Sequence, residues 1–315
     1  TGLVARIHHA MADGVTAIRL LSGLLWDAPE GADDEARPSH QPPPALARHD
    51  PPRASPSARE PDDLITAPRP LLVRLPGALR RELRPGAHTV LDRHIGSDRE
   101  VAWTAVPLAR MKEVGHAAGE GVTVNDVVLA VVAGGLRSWL AGKASRPARL
   151  KAQVPVCMHL RDGDPSVGNR DSFLNVELPL SEPDPLARLR LISAETRERK
   201  LEHDADTLYS FFHALGRFRP LLDGVTRVVS GPREFALSVS NVPGPRERPS
   251  ICGREVSEFC SFAEPADRHA LRVAVISLGG ELAFGLCSDP NAIGGLDRLA
   301  DAFDASVADL EEALE

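Results

Sequence analysis

Several short signatures of common enzyme classes are absent from this sequence. It has no Gly-x-Gly-x-x-Gly turn, no phosphate-binding loop ending in Gly-Lys-Ser or Gly-Lys-Thr, and no Gly-x-Ser-x-Gly elbow. These absences argue against the simplest dinucleotide-binding, NTPase and serine-hydrolase classes. The longest apolar run, Val127 to Leu136, is about half the length that a membrane-spanning helix needs.

Cysteine is scarce, and basic residues do not outnumber acidic ones. The four cysteines, at positions 157, 252, 260 and 287, show no two-residue spacing and no paired histidine, so we expect reduced cytoplasmic thiols and no zinc site. The formal net charge of -7 and the sequence pI of about 5.9 lack the basic character of nucleic-acid-binding proteins, so we expect no nucleic-acid partner. At 315 residues the chain is long enough for two lobes.

The first 26 residues change from an alternating to a helical apolar pattern. Residues 1–9 alternate and predict a strand, whereas residues 15–26 predict a helix. The helical pattern consists of Ile18, Leu21 and Leu25. Between the two segments lies a polar turn, in which we expect Asp13 to bond the backbone and Gly14 to adopt a positive φ.

Two adjacent histidines end the predicted strand. Because successive side chains of a strand point to opposite faces, His8 and His9 are expected to have different roles. The histidine that faces a cleft is a candidate general base, since the pKa of imidazole is about 6.5, and the other is expected to be packed and hydrogen-bonded. A metal site built from both histidines and Asp13 is disfavoured because the two rings would diverge.

Beyond residue 28 the sequence predicts a linker followed by a mixed sheet covered by helices. Eleven of the 27 prolines lie between residues 29 and 70, which is typical of a linker. Residues 71–83 predict a basic amphipathic helix with a solvated face, broken near Pro76. The predicted strands are 101–106, 150–156, 173–180, 235–239 and a hairpin of 272–277 with 282–287. The predicted helices are 107–118, 121–140, 184–201, two within 208–229, and one from 296 to the end.

Two polar segments lie within this region of predicted strands and helices. Thr123 is followed three residues later by Asp126, which fits a capping box and gives Asp126 a structural role without any chemistry. Residues 240–245, Ser-Asn-Val-Pro-Gly-Pro, are expected to form an irregular turn that carries Asn241.

Four segments, taken in order, resemble the wax ester synthase/diacylglycerol acyltransferases, a branch of the CoA-dependent acyltransferase superfamily. They are His-His-Ala-Met-Ala-Asp-Gly at 8–14, the Asn-Asp helix at 122–137, Val-Pro-Val at 154–156 with Arg161 and Gly-Asn-Arg at 168–170, and residues 240–245. The resemblance implies a mixed α/β, chloramphenicol-acetyltransferase-like fold of two lobes with the active site between them. It implies that residues 1–28 belong to a first lobe most of which this chain lacks, that 29–70 link the lobes, and that 71–315 form the second lobe.

The resemblance also implies an activity. A fatty acyl group would move from acyl-CoA, as co-substrate, to a long-chain alcohol or diacylglycerol, giving wax esters or triacylglycerol without a cofactor or metal. His9 would be the general base. The implied supporting residues are His8, Asp13 (paired with a distant arginine) and Gly14, and the implied substrate or oxyanion contacts are Asn125, Asp126 and Asn241. A first lobe or partner chain would complete the site, and the enzyme would be cytoplasmic, with peripheral contact to a membrane or lipid droplet.

Two alternatives remain open from the sequence. A condensation-type or other small-alcohol acyltransferase would share the histidine motif, although the Asn-Asp helix and the 240–245 segment speak against it. A non-catalytic lobe that binds a lipid or a partner would be consistent with the expected lack of most of the first lobe.

Overall fold

The computed structural model of the chain describes residues 2–8, 14–27, 71–84, 86, 88–141, 147–157, 171–215, 225 and 234–315. The predicted linker 29–70, the loop after residue 157 that carries Arg161, and most of the region predicted to hold a second helix after residue 215 lie outside these described residues.

Seven helices and eight strands make up the described part of the chain. The helices are α1 (Gly14–Leu25), α2 (Leu71–Glu82), α3 (Leu108–Ala118), α4 (Val124–Trp139), α5 (Pro185–Leu201), α6 (Asp204–Leu215) and α7 (Leu296–Glu312). The strands are β1 (Glu100–Pro107), β2 (Leu150–Cys157), β3 (Asp171–Leu178), β4 (Leu237–Val242), β5 (Ser250–Ile251), β6 (Arg254–Glu255), β7 (Leu271–Leu278) and β8 (Glu281–Ser288).

Six of the strands form one mixed sheet in the order β1-β8-β7-β4-β2-β3. β4 runs parallel to both of its neighbours, and the outer pairs are antiparallel. The predicted hairpin is confirmed: β7 and β8 join through Gly279 and Gly280, whose φ values of 53° and 88° suit a two-residue turn with two left-handed positions. The predicted mixed sheet is therefore confirmed as well.

The core lies between this sheet and a layer of helices centred on α4. All residues from Asp126 to Leu136 are buried, so the longest apolar run belongs to a core helix. Its Gly134 and Gly135 face α7: a Cβ on either would lie 2.1 Å from Ser306 Oγ or 2.3 Å from Phe303 Cδ1. Only glycine permits this close approach of the two helices. Among the described helices, none has the length and apolar character needed to cross a bilayer.

Three predictions about local structure are wrong. Residues 2–8 are not a strand: all but Ile7 are exposed, and no described strand lies alongside to provide a hydrogen-bonded ladder. α2 is not broken at Pro76, although the helix does have the predicted solvated face at Val73, Pro76 and Arg80, with Ala78 and Glu82 buried on the opposite face. Packing of the buried face compensates for the backbone hydrogen bond that a proline removes.

The third error concerns β4, which was predicted to end at residue 239. The strand continues to Val242, since Ser240, Asn241 and Val242 pair with β7 as far as Ile276. The ladder therefore extends to the residue before Pro243, where a proline with no N–H group follows.

Candidate functional site

The end of the histidine motif meets the end of β4. Gly14 is the first residue of α1, and a Cβ placed on it would lie 2.6 Å from Cγ2 of Val242. The structure therefore places Gly14, the last residue of the segment 8–14, against Val242 of the segment 240–245.

The other end of α1 is held by a carboxylate. Asp27 accepts hydrogen bonds from the backbone N–H groups of Cys252 (2.9 Å) and Gly253 (2.8 Å), and its own N–H donates to Ser250 O (2.8 Å). Cys252 and Gly253 have φ values of 52° and 72° and form the turn between β5 and β6. The sequence analysis missed this contact, because a single aspartate after a helix carries no signal of a partner more than 200 residues away.

The 240–245 segment is ordered rather than irregular. After the strand ends, Gly244 N–H donates to Ser277 Oγ (3.0 Å), and Gly279 N–H donates to Pro245 O (3.1 Å). Asn241 was predicted to lie in a turn, but it lies within β4 opposite Val275. Because side chains alternate along a strand, Asn241 faces the side opposite to that of Val242 and Gly14.

Asp126 forms the predicted capping box. Its Oδ2 accepts from Thr123 N (2.8 Å) and Thr123 Oγ1 (2.8 Å), and Thr123 Oγ1 accepts from Asp126 N. Its Oδ1 accepts from Thr196 Oγ1 on α5 (2.6 Å). Both oxygens of this buried carboxylate are therefore occupied by structural partners.

Asn125 precedes Asp126 in the first turn of α4 and is half-buried. Within the part of the chain that the structure describes, no hydrogen bond engages the side chains of Asn125 or Asn241. Both amides thus keep their hydrogen-bonding capacity for another group.

The histidine motif itself is only partly described. His8 is exposed, which contradicts the expectation that the non-catalytic histidine is packed. His9 and Asp13 lie outside the described residues. Gly14 is helical rather than left-handed, since it is not among the glycines with positive φ, so the expected positive φ is wrong. Among the described residues, no group of three or more histidine, cysteine, aspartate or glutamate side chains could hold a metal ion.

Comparison with known families supports the interpretation of these segments. The model of the wax ester synthase/diacylglycerol acyltransferase (WS/DGAT) catalytic domain matches residues 2–128, and that of the WS/DGAT C-terminal domain matches residues 167–311. The chain belongs to the WS/DGAT family. The catalytic-domain match includes both the histidine motif and the beginning of α4.

Relatives in this family carry the names of acyltransferases. A probable diacylglycerol O-acyltransferase of Mycobacterium tuberculosis is 29% identical over 334 residues, covering 99% of this chain and 70% of the relative. The solved structure of the WS/DGAT from Marinobacter aquaeolei VT8 is 25% identical with a TM-score of 0.59, covering 78% of this chain and 55% of that chain. This match confirms the predicted chloramphenicol-acetyltransferase-like fold. This chain thus spans little more than half the length of the Marinobacter protein.

A more distant solved structure shares the fold alone. The epimerization domain from the third module of tyrocidine synthetase B is 11% identical, with a TM-score of 0.51 and coverage of 78% of this chain and 56% of that domain. At this identity the match carries no information on the substrates of the WS/DGAT chain.

A buried group of charges joins α2 to the sheet edge in this WS/DGAT chain. Glu82 accepts from Asn175 N (3.1 Å) on β3 and forms an ion pair with Arg199 on α5. Arg199 also donates to Asp204 (3.2 Å), which Arg81 contacts at 2.7 Å. We call Arg81, Glu82, Arg199 and Asp204 the charge cluster. The sequence analysis missed it, because its members are scattered over more than 120 positions and no local pattern pairs them.

Further charged groups surround the charge cluster. Lys151 on β2 donates to Arg81 O (3.2 Å) and Glu82 O (3.0 Å), and burial lowers its pKa. Glu195 on α5 accepts from Glu177 N (3.1 Å), and burial raises its pKa to about 7 despite the nearby Arg199. Burial likewise raises the pKa of Glu82, against the opposing influence of Arg199. The side chains of Glu82 and Glu195 thus accept hydrogen bonds from N–H groups along the outer edge of β3, where a further strand would otherwise pair.

Two cavities in the described part of the chain lie away from the motif segments. One, of about 480 Å³, lies between the α3–α4 loop and α5, beside Arg197 and Leu201. The other, of about 310 Å³, lies at the start of β2, beside Arg149 and Lys151. Neither is lined by a candidate site residue that the structure describes.

Proposed function

We propose that this chain belongs to an acyl-CoA-dependent O-acyltransferase that moves a fatty acyl group to a long-chain alcohol or diacylglycerol. The observation that carries this proposal is the contact of Gly14 with Val242, which joins the end of the histidine motif to the 240–245 segment. Family membership and the names of the relatives support acyl transfer as the reaction class.

His9 is the proposed general base. It would take the proton of the acceptor hydroxyl as that oxygen attacks the thioester carbonyl of acyl-CoA. The carbon–sulfur bond then breaks, and the CoA thiolate leaves with a proton. General-base catalysis contributes roughly 100- to 10,000-fold, and orientation of the two substrates contributes further, so no covalent acyl-enzyme is required.

The remaining site residues have supporting roles in this proposal. Asn125 is the better candidate for an oxyanion or substrate contact, because its amide has no structural partner in the described residues, whereas both oxygens of Asp126 are engaged. Asn241 is a second candidate amide on β4. His8 and Asp13 would orient the motif around His9.

The acceptors define the proposed setting of the enzyme. Long-chain alcohols and diacylglycerol both partition into lipid, so a cytoplasmic enzyme that uses them needs peripheral contact with a membrane or lipid droplet. The products would be wax esters or triacylglycerol.

The test measures CoA release from palmitoyl-CoA with hexadecanol or a diacylglycerol as acceptor. It uses this chain and, in parallel, the chain extended by any upstream coding sequence, since it spans 55% of the Marinobacter WS/DGAT. We expect His9→Ala to lower turnover by at least about 100-fold with an unchanged circular dichroism spectrum, as for loss of a general base.

Two controls accompany this variant. His8→Ala should lower turnover less, and His116→Ala, at an exposed position on α3, should leave it unchanged. Near-normal turnover of His9→Ala with either acceptor would refute the mechanism, and release of CoA without formation of an ester product would refute the reaction.

A further inference from the structure

The contact between α1 and β4 explains why a glycine ends the histidine motif. Gly14 has an ordinary helical conformation, so its conformational freedom is not what the position requires. A Cβ there would lie 2.6 Å from Cγ2 and 3.5 Å from Cγ1 of Val242. Real Cβ atoms essentially never come within 3.0 Å of such a group, so any other residue would displace one of the two segments.

Val242 cannot move easily to make room. It is paired with Ile276 in the parallel ladder of β4 and β7. Pro243 follows it, and the hydrogen bond from Gly244 N to Ser277 Oγ fixes the turn beyond. Valine is also stiff at χ1, because two methyl groups branch from its Cβ. A clash would therefore shift α1 rather than β4.

The opposite end of α1 restricts how the helix can shift. Asp27 holds the turn of Cys252 and Gly253, and α1 spans about 18 Å between Gly14 and that contact. A helix held at its C-terminal end would respond by tilting at its N-terminal end. The residues displaced most would be those that immediately precede Gly14.

We infer that Val242 is a positioning residue, whose side chain sets the location of the histidine motif by packing against Gly14. The inference rests on the proposed function, because it assigns Val242 to the placement of the proposed base. A shift of about 1 Å in a catalytic group can cost around 100-fold in rate. Val242 touches no substrate in this scheme and acts only through α1.

The experiment is a double-variant rescue in the extended chain used for the acyl-transfer assay. We expect Gly14→Ala to lower kcat by roughly 10- to 100-fold with KM for palmitoyl-CoA within about threefold. Val242→Ala alone should lower kcat less, and Gly14→Ala combined with Val242→Ala should return kcat to within about threefold of Val242→Ala. Gly23→Ala is the matched control on the same helix: outside the neighbouring backbone of α1, no atom lies within 4 Å of its added Cβ, so kcat should be unchanged.

A second readout is independent of activity. Arg19 is an exposed residue of α1, so trypsin cleavage after it reports how firmly the helix is seated. Cleavage should be faster in Gly14→Ala, slower again in the double variant, and no faster than in the parent in Gly23→Ala, since alanine favours the helix over glycine.

Each result bears on the inference. Full activity of Gly14→Ala, or a double variant as slow as Gly14→Ala, would overturn it, and so would recovery of protease resistance without recovery of kcat. If the parent protein transfers no acyl group, the proposed function fails, and the protease rescue still decides whether Val242 seats α1.

Discussion

α1 and α2 lie on either side of the proline-rich segment, and they are attached to the sheet by opposite means. α2 is joined to β3 and α5 through the charge cluster, in which Glu82 and Arg199 are buried. α1 is held by the steric fit of Gly14 on Val242 and by the exposed carboxylate of Asp27. Of its described side chains, Thr16 is the one that is fully buried.

The more firmly attached helix of the two, α2, is therefore not the one that adjoins the histidine motif. The charge cluster attaches α2 firmly, because removing one member would leave a buried charge without its partner. Yet α2 carries no candidate site residue. The helix that follows the histidine motif depends on surface contacts, which are individually weak. The motif therefore rests on the attachment that is easier to disturb, and local opening there need not unfold the sheet.

The largest effect should come from Arg199→Met, which removes the central cation of the charge cluster. Glu82 and Asp204 would then remain buried without their shared partner. We expect a loss of about 3 to 5 kcal/mol in the free energy of unfolding, measured by urea denaturation. Arg149→Met is the matched control, because its ion pair with Glu177 (3.0 Å) is largely exposed on the arginine side and is worth at most about 1 kcal/mol. Equal losses for the two variants would show that the charge cluster attaches α2 no more firmly than an exposed ion pair would.

The attachment of the sheet edge should also depend on pH. The folded-state pKa of Glu195 is about 7, above its ordinary value of 4.5, so the folded chain retains this proton to higher pH. Its contribution to stability is therefore present below about pH 4.5 and is lost as the pH rises through 7. We expect Glu195→Gln, which keeps an acceptor for Glu177 N, to flatten this decline between pH 5 and pH 8. Urea midpoints across that range test it, with the exposed Glu113→Gln as control; parallel curves for Glu195→Gln and the parent would contradict the prediction.

The smallest global effect should come from Asp27→Ala. Loss of its two hydrogen bonds to the β5–β6 turn should lower the free energy of unfolding by less than about 1 kcal/mol, because the site is exposed. Trypsin cleavage after Arg19 should nevertheless accelerate about fivefold, as α1 opens locally. Ser22→Ala, which removes only a bond to Arg19 O within α1, is the control. A stability loss as large as that of Arg199→Met would show that α1 is not the weaker attachment.

The sequence predicted best those features that short-range patterns specify. The capping box of Thr123 and Asp126, the buried helix α4 and the β7–β8 hairpin each depend on residues within a few positions of one another. The family resemblance further pointed to residues 8–14 and 240–245, and the structure places Gly14 of the first segment against Val242 of the second.

What the sequence could not predict depends on distant partners. The extension of β4 to Val242 requires β7, whose partner residues lie more than 30 positions away, so the local Pro-Gly-Pro signal suggested too early an end. The buried face of α2 depends on Arg199 and Asp204, and a basic pattern with a central proline gives no sign of it. The role of Gly14 was misassigned for the same reason: its neighbour Val242 is 228 positions further along the chain.

The order of strands in the sheet also determines how long β1 remains unpaired during synthesis of the chain. β1 pairs only with β8 in the described sheet. Pro107 therefore cannot pair until Glu281 has been synthesised, more than 170 residues later. At a synthesis rate of about 5 to 20 residues per second, that interval lasts roughly 10 to 35 s. During it the apolar side of β1, with Ala102 and Val106, has no sheet to join, although α3 and α4 are already complete. A nascent chain of this topology is consequently expected to need protection by a chaperone until its last hairpin emerges.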